Sequence, residues 1–273
     1  RKDMWSFEMV AAMLAVGAVA GVIAGMFGVG GGTILVPLVL WILQMQGAEN
    51  FQYAQHIAIG TSFAVMVFTS FASARAQYKR QAVDMDVLRA MVPGVLCGVA
   101  AGALVAQYLP NKGLQVFFTL FIAILAVRAL LGIKPTPERQ LPGRGGLFGM
   151  GGLFGLLSSW IGIGGGSLTV PYLTFCNVPV HRAVGTSAAL GWPIAVAGTL
   201  GYAWAGWNQG GLPEGSAGFV YLPAVGILAA ATLLSAPLGV RLSHKLPADK
   251  LKKGFGILLL LIALRMAWKI VQS

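Results

Sequence analysis

Charge is what this sequence has least of. Only 10% of its 273 residues are Asp, Glu, Lys or Arg, against about a quarter in a soluble globular domain. Hydrophobic residues make up 57%, and mean hydropathy is +0.78. Uncharged apolar runs recur along nearly the whole chain, which leaves no separate soluble domain and points to the lipid bilayer as its surroundings. Acids are scarcest. The eight are Asp3, Glu8, Glu49, Asp84, Asp86, Glu138, Glu214 and Asp249. None falls in the middle of an apolar segment, so a carboxylate proton relay has no candidate. Cysteine is also scarce: Cys97 and Cys176 both sit in apolar segments, and no CxxC occurs. That excludes a disulfide framework and a cysteine metal centre, and no metal or cofactor is expected. The lysine of a GxxxxGK[ST] phosphate loop is missing, as are GxSG and HExxH, so those nucleotide, serine-hydrolase and zinc-protease chemistries have no motif.

The net charge of +11 does not imply nucleic acid as a partner, because the Lys and Arg residues lie in short loops between apolar segments, where they set topology. The chain begins at Arg1. Residues 9–28 are too rich in glycine, and too well matched elsewhere in the chain, to read as a cleaved signal peptide.

What the sequence does have is itself twice. Gly28-Val29-Gly30-Gly31-Gly32-Thr33-Ile34-Leu35-Val36-Pro37 returns as Gly162-Ile163-Gly164-Gly165-Gly166-Ser167-Leu168-Thr169-Val170-Pro171. His56-Ile57-Ala58-Ile59-Gly60-Thr61-Ser62 returns as His181-Arg182-Ala183-Val184-Gly185-Thr186-Ser187, and Leu109-Pro110 as Leu246-Pro247. Arg128 falls on Arg265 in the same alignment. Motifs in one order in both halves mark a duplication: repeat 1 over 1–133, a cytoplasmic linker over 134–145 and repeat 2 over 146–273.

Each repeat holds five apolar segments, about 9–28, 33–46, 56–75, 87–108 and 113–132, then 146–161, 167–177, 183–204, 217–240 and 254–271. A full crossing takes about 20 residues. The second segment of each half is too short for that and reads as part of a broken or re-entrant helix. Placing the loop 75–89 inside puts thirteen Lys and Arg inside and four outside, as the positive-inside tendency requires. An odd number of crossings per half then inverts one half relative to the other. The expected fold is an all-α integral membrane protein of two inverted-topology repeats in the inner (plasma) membrane. Glycines four apart, Gly17, Gly21 and Gly25, then Gly94, Gly98 and Gly102, make smooth faces for packing within the bundle, or alternatively for a homodimer.

Three consecutive glycines disfavour helix by roughly 1 kcal/mol each and suit a place where backbone bends and comes close to something. Thr33 and Ser167 are then expected as N-caps of the short segments that follow. Free amides and a positive dipole end at such a start bind anions, and paired broken helices at matching places mark a transporter's binding site.

The doubled glycine motif and the doubled Gly-Thr-Ser motif resemble the TauE/SafE family of membrane transporters, also called the sulfite exporter or TSUP family, over about residues 9–271. The resemblance implies a small anionic substrate of the class of sulfite, organosulfonates and related carboxylates. The glycine motifs by themselves say only a small polar, anionic ligand.

The expected site comprises Gly30, Gly31, Gly32, Thr33, Thr61, Ser62, Gly164, Gly165, Gly166, Ser167, Thr186 and Ser187. Neutral donors hold an anion and also let it go, although the Thr and Ser hydroxyls can equally bond their own helix or a neighbour. His56 and His181 are candidate titratable gates or interface residues. Trp160 and Trp192 could gate a cavity or simply pack. Arg128 and Arg265 either snorkel to the interface or line an anion path. Export of an anion needs no proton relay, since the membrane potential favours it by about 2.3 kcal/mol per unit charge per 100 mV. An anion channel of the same architecture is the alternative, and an intramembrane enzyme using Ser62 and Ser187 with the histidines is the remote one.

Overall fold

A computed structural model describes residues 7–27, 31–45, 52–132, 139–243 and 248–272. Gly30, the linker residues 134–138 and Leu246-Pro247 lie outside the described residues. Within them the chain is nearly all helix: α1 Phe7–Phe27, α2 Gly32–Met45, α3 Ala54–Lys79, α4 Met85–Ala106, α5 Asn111–Leu130, α6 Arg144–Ile161, α7 Gly166–Phe175, α8 Val180–Ala205, α9 Leu222–Ser243 and α10 Ala248–Gln272. Six of these, α3, α4, α5, α8, α9 and α10, contain stretches long and apolar enough to cross a membrane.

One expected segment, 217–240, begins differently. A short hairpin, β1 Ser216–Ala217 and β2 Val220–Tyr221, precedes α9 and pairs Ser216 with Tyr221 and Ala217 with Val220. Gly215 and Gly218 have φ of 84° and 58°, which turns the chain too sharply for helix. The run Phe219-Val220-Tyr221 that follows suits extended backbone.

The breaks fall at the glycine motifs. α6 stops at Ile161 because Gly162 turns left-handed at φ 74°, its N–H bonding the Ser158 carbonyl at 2.8 Å. Gly165 is left-handed at φ 74°, and α7 starts on the next residue. Gly31 repeats this at φ 78° before α2. At 1.5 Å per residue the ten residues of α7 reach about 15 Å, half of a bilayer core of about 30 Å. The expected N-caps are corrected here. Gly165 occupies the N-cap position of α7 with no side-chain cap. Gly31 plays the same part, its carbonyl receiving the N–H groups of Ile34 and Leu35, as that of Gly165 receives those of Leu168 and Thr169. A left-handed turn disfavours Thr or Ser there, and Thr33 and Ser167 stand in the first helical turn instead.

Helices from the two halves interleave. α4 packs on α6 and α8, while α9 packs on α1 and α3, so each packing has its counterpart in the repeat alignment. Both glycine faces are used inside the bundle. A Cβ at Gly94 or Gly98 would collide with the backbone of Phe148 or Gly152 on α6, and one at Gly17 or Gly21 with residues 228–235 of α9. The matched helices α3 and α8 lie together at the centre and run antiparallel: Gly60 meets Tyr202, Phe63 meets Gly198, Ser70 meets Gly191 and Ala82 meets Gly185. Ile57, Ile59, Phe63, Val65 and Met66 of α3 are fully buried.

Candidate functional site

The two glycine motifs meet. Gly32 lies against the Gly162 carbonyl and the Ile163 Cα, where no Cβ fits. Gly162 in turn lies against Val36 of α2 and Ile59 of α3. Ser62 Oγ–H points to the Gly162 carbonyl at 3.3 Å and to Ile59 at 3.0 Å. On the other side Gly164 and Gly165 pack on α8, the first near Gly191, the second 2.7 Å from Ile194 Cδ1 by its hypothetical Cβ. The starts of two short helices, both from broken spans, are thus held around one small region between α3 and α8.

Besides Ser158 and Ser216, the buried hydroxyls without a partner among the described residues belong to the repeated motifs. Thr33 Oγ1, Ser167 Oγ and Ser187 Oγ are buried with no hydrogen bond. Thr33 is 1% exposed. Burying an unsatisfied hydroxyl costs about 1–3 kcal/mol, and a native structure carries few such groups without a reason. Thr33 and Ser167 are the same position in the two repeats, and both stand in a first helical turn, where N–H groups have no intrahelical acceptor. Pro37 and Pro171 add to the polar character: lacking an N–H, they leave the carbonyls of Thr33 and Ser167 without their usual i+4 donor. No Lys or Arg lies in either glycine motif.

Thr61 and Thr186 do something else. Thr61 Oγ1 accepts the N–H of Tyr221 at 3.0 Å, and Thr186 Oγ1 accepts the N–H of Asp84 at 2.9 Å. Tyr221 and Asp84 are themselves matched, each the residue just before the fourth helix of its half, α9 and α4. The glycine before each threonine completes the clasp. A Cβ at Gly60 would strike the carbonyl of Phe219, and one at Gly185 that of Ala82. The Gly-Thr pair therefore ties the central helix of one half to the start of a spanning helix of the other. The doubling exposed this motif in the sequence, but nothing in the sequence said what it grips.

The remaining candidates scatter. His56 is buried, and its Nε2 lies 2.8 Å from the Ala106 carbonyl, whereas His181 is exposed at the start of α8. Trp160 donates its indole N–H to the Gly102 carbonyl at 3.0 Å and packs edge-on to Phe117. Trp192 is 41% exposed beside Phe71. Arg128 lies near the end of α5, while Arg265 stands with Lys112 at the beginning of that helix. A residue the sequence reading missed is Met66. It is fully buried, with Sδ against Gly32 and Cε against Gly164. The aligned position in the other half is Gly191, an asymmetry that would have flagged it. Among the described residues no three His, Cys, Asp or Glu side chains form a group able to hold a metal.

Residues 13–266 match the model of the sulfite exporter TauE/SafE family. The chain belongs to that family. It is 33% identical over 265 residues to a probable membrane transporter protein of Haemophilus influenzae, covering 96% of this chain and all of that one. It is 24% identical to another from Methanocaldococcus jannaschii, with 88% of each chain covered. The YunE protein of Bacillus subtilis, named likewise, is 28% identical over 196 residues, 64% of this chain and 71% of its own. No solved structure matches. This TauE/SafE protein is a multi-pass membrane protein, and family and relatives alike bear the names of transporters.

Proposed function

We propose that this TauE/SafE protein is a secondary transporter that exports a small anion, such as sulfite, an organosulfonate or a related carboxylate, across the inner (plasma) membrane. The anion sits between Gly31–Thr33 and Gly164–Ser167, with Ser62 and Ser187 beside it. The observation that carries the reading is the matched pair of unpartnered buried hydroxyls, Thr33 Oγ1 and Ser167 Oγ, in the first turns of two short helices whose positive dipole ends favour an anion. Neutral amides and hydroxyls hold the ion and release it. The family's description favours sulfite as a member of the substrate class.

The antiparallel course of α3 and α8 supports inverted repeats, with 1–133 and 146–273 as the two halves. Met66, whose buried side chain lies against both Gly32 and Gly164, favours a gated carrier over an open channel. An enzyme is disfavoured, because the Ser62 hydroxyl is spent on backbone carbonyls and His56 on Ala106. The test is counterflow in proteoliposomes over sulfite, organosulfonates, sulfate and carboxylates. A carrier exchanges labelled against unlabelled anion, with preference for sulfite or sulfonate. Conductance without counterflow would assign a channel, and no anion movement would refute the reading.

A further inference from the structure

A second polar region lies apart from the glycine motifs. A cavity of about 520 Å³ opens between α2, α5 and α10, lined among others by Pro37, Trp41, Lys112, Gln115, Arg265 and Lys269. Three cations converge there. Among the described residues no Asp or Glu lines the cavity, and no ion pair involves any of the three. Two of them stand where local energetics do not favour them. Lys112 is in the first turn of α5, at the positive end of the helix dipole, where a cation is disfavoured. Arg265 lies a turn deeper than Lys269 in an otherwise apolar stretch of α10, where an unpaired charge is costly. The arrangement is also one-sided. In the repeat alignment Lys112 falls on Asp249 and Lys269 on Gly132, so only Arg265, matched by Arg128, has a cationic counterpart in the other half.

Of the cavity's lining residues on α2, Pro37 is the one nearest the helix start. Thr33, Pro37 and Trp41 recur every four residues and so share one face of that helix. Pro37 lines the cavity, and the unpartnered Thr33 hydroxyl is one turn further in, about 6 Å by helix rise. Resting on the anion site proposed above, we infer that this cavity is the antechamber of the anion path. The loop charges put Lys112 and Lys269 on the outer side, so Lys112, Arg265 and Lys269 draw the exported anion out along the Thr33 face of α2 and, in exchange, gather a free small anion from outside and pass it back to the glycine site. Clefts lined by one sign of charge concentrate a counter-ion and raise on-rates by about 10–10³. Three exposed cations in an open cavity do so without the tight grip that would slow release at the centre.

The experiment compares wild type with the triple variant K112Q/R265Q/K269Q in counterflow of labelled sulfite, in vesicles of neutral phosphatidylcholine. All three residues are exposed, and a melting profile checks the fold. The expected result is an apparent KM raised roughly tenfold at low ionic strength, an unchanged maximal rate, and a difference that closes as salt screens the charges. An unchanged KM would overturn the antechamber, while weakened transport in Thr33→Val under the same conditions would leave the central site standing. A deficit seen only after anionic phospholipid is added would also overturn it, assigning the cavity to a lipid headgroup instead. Absence of counterflow by wild type itself would remove the central site and the antechamber together.

Discussion

Replacing Thr33 by Val and Ser167 by Ala separates a binding hydroxyl from a structural one. Thr33 Oγ1 and Ser167 Oγ are buried and bond nothing in the protein. Valine has nearly the shape of threonine, so Thr33→Val opens no cavity. If nothing binds there, deleting the oxygen recovers part of its desolvation cost, about 1–3 kcal/mol. The ligand-free variant therefore melts no lower than wild type, and higher by about 2–4 °C per kcal/mol recovered. The anion loses a hydrogen bond made to a charged group, which is worth about 1.5–3 kcal/mol. Each substitution then weakens affinity roughly ten- to hundredfold, since about 1.4 kcal/mol is a factor of ten. Two measurements read this: the KM of counterflow, and the stabilisation of detergent-solubilised protein by sulfite. A ligand at a hundred times its Kd adds about 2.7 kcal/mol to stability, and the double variant should lose most of that at the same concentration. The reasoning is refuted by the reverse pattern, a ligand-free protein that melts lower and binds sulfite as before. The hydroxyls would then be packing elements with a partner of their own.

Two further outcomes follow from the clasp and the histidines. Thr186→Val removes the acceptor of the Asp84 N–H and should cost about 1–3 kcal/mol, and Gly185→Ala, whose Cβ meets the Ala82 carbonyl, should cost a similar amount by overpacking. Both should lower the melting temperature of ligand-free protein, which the Thr33 variant does not. His56→Gln, which removes a ring whose Nε2 lies 2.8 Å from the Ala106 carbonyl and which packs on Tyr53 and Phe219, should also lower the melting temperature, whereas His181→Gln at an exposed position should change stability by no more than about 0.5 kcal/mol.

The clasp also bears on how such a carrier could move. α4 and α9 are each tied by a backbone N–H to the central helix of the opposite half, and they pack on α6 and α1 through glycine faces that allow close approach. Each half therefore grips the other at two matched places. A rocking motion that preserved these contacts would pivot at the glycine breaks, where α6 gives way to α7 through two left-handed residues.

Hydropathy alone foretold the ten helices of the described residues, though the start of the ninth gave way to a hairpin, because a bilayer core sets the length of a crossing and backbone in lipid must satisfy its own hydrogen bonds. The repeated motifs fixed where the spans break, since consecutive glycines are poor helix formers and tolerate the left-handed turn seen at Gly31, Gly162 and Gly165. Those are local properties, legible in one dimension. What the hydroxyls face was not. Thr33 looked like a cap until Gly31 took that position, and nothing in the sequence told that the oxygens of Thr61 and Thr186 accept the N–H groups of Tyr221 and Asp84, more than a hundred residues away. Met66 carried no signal beyond its mismatch with Gly191 in the repeat alignment, yet it touches both glycine motifs. Arg265 and Lys112, on helices half a chain apart, became one cavity only where α10 runs antiparallel to α5. A sequence records which groups can donate, accept or carry charge, but their partners are chosen by long-range packing, and only the folded chain decides which hydroxyls are left without one.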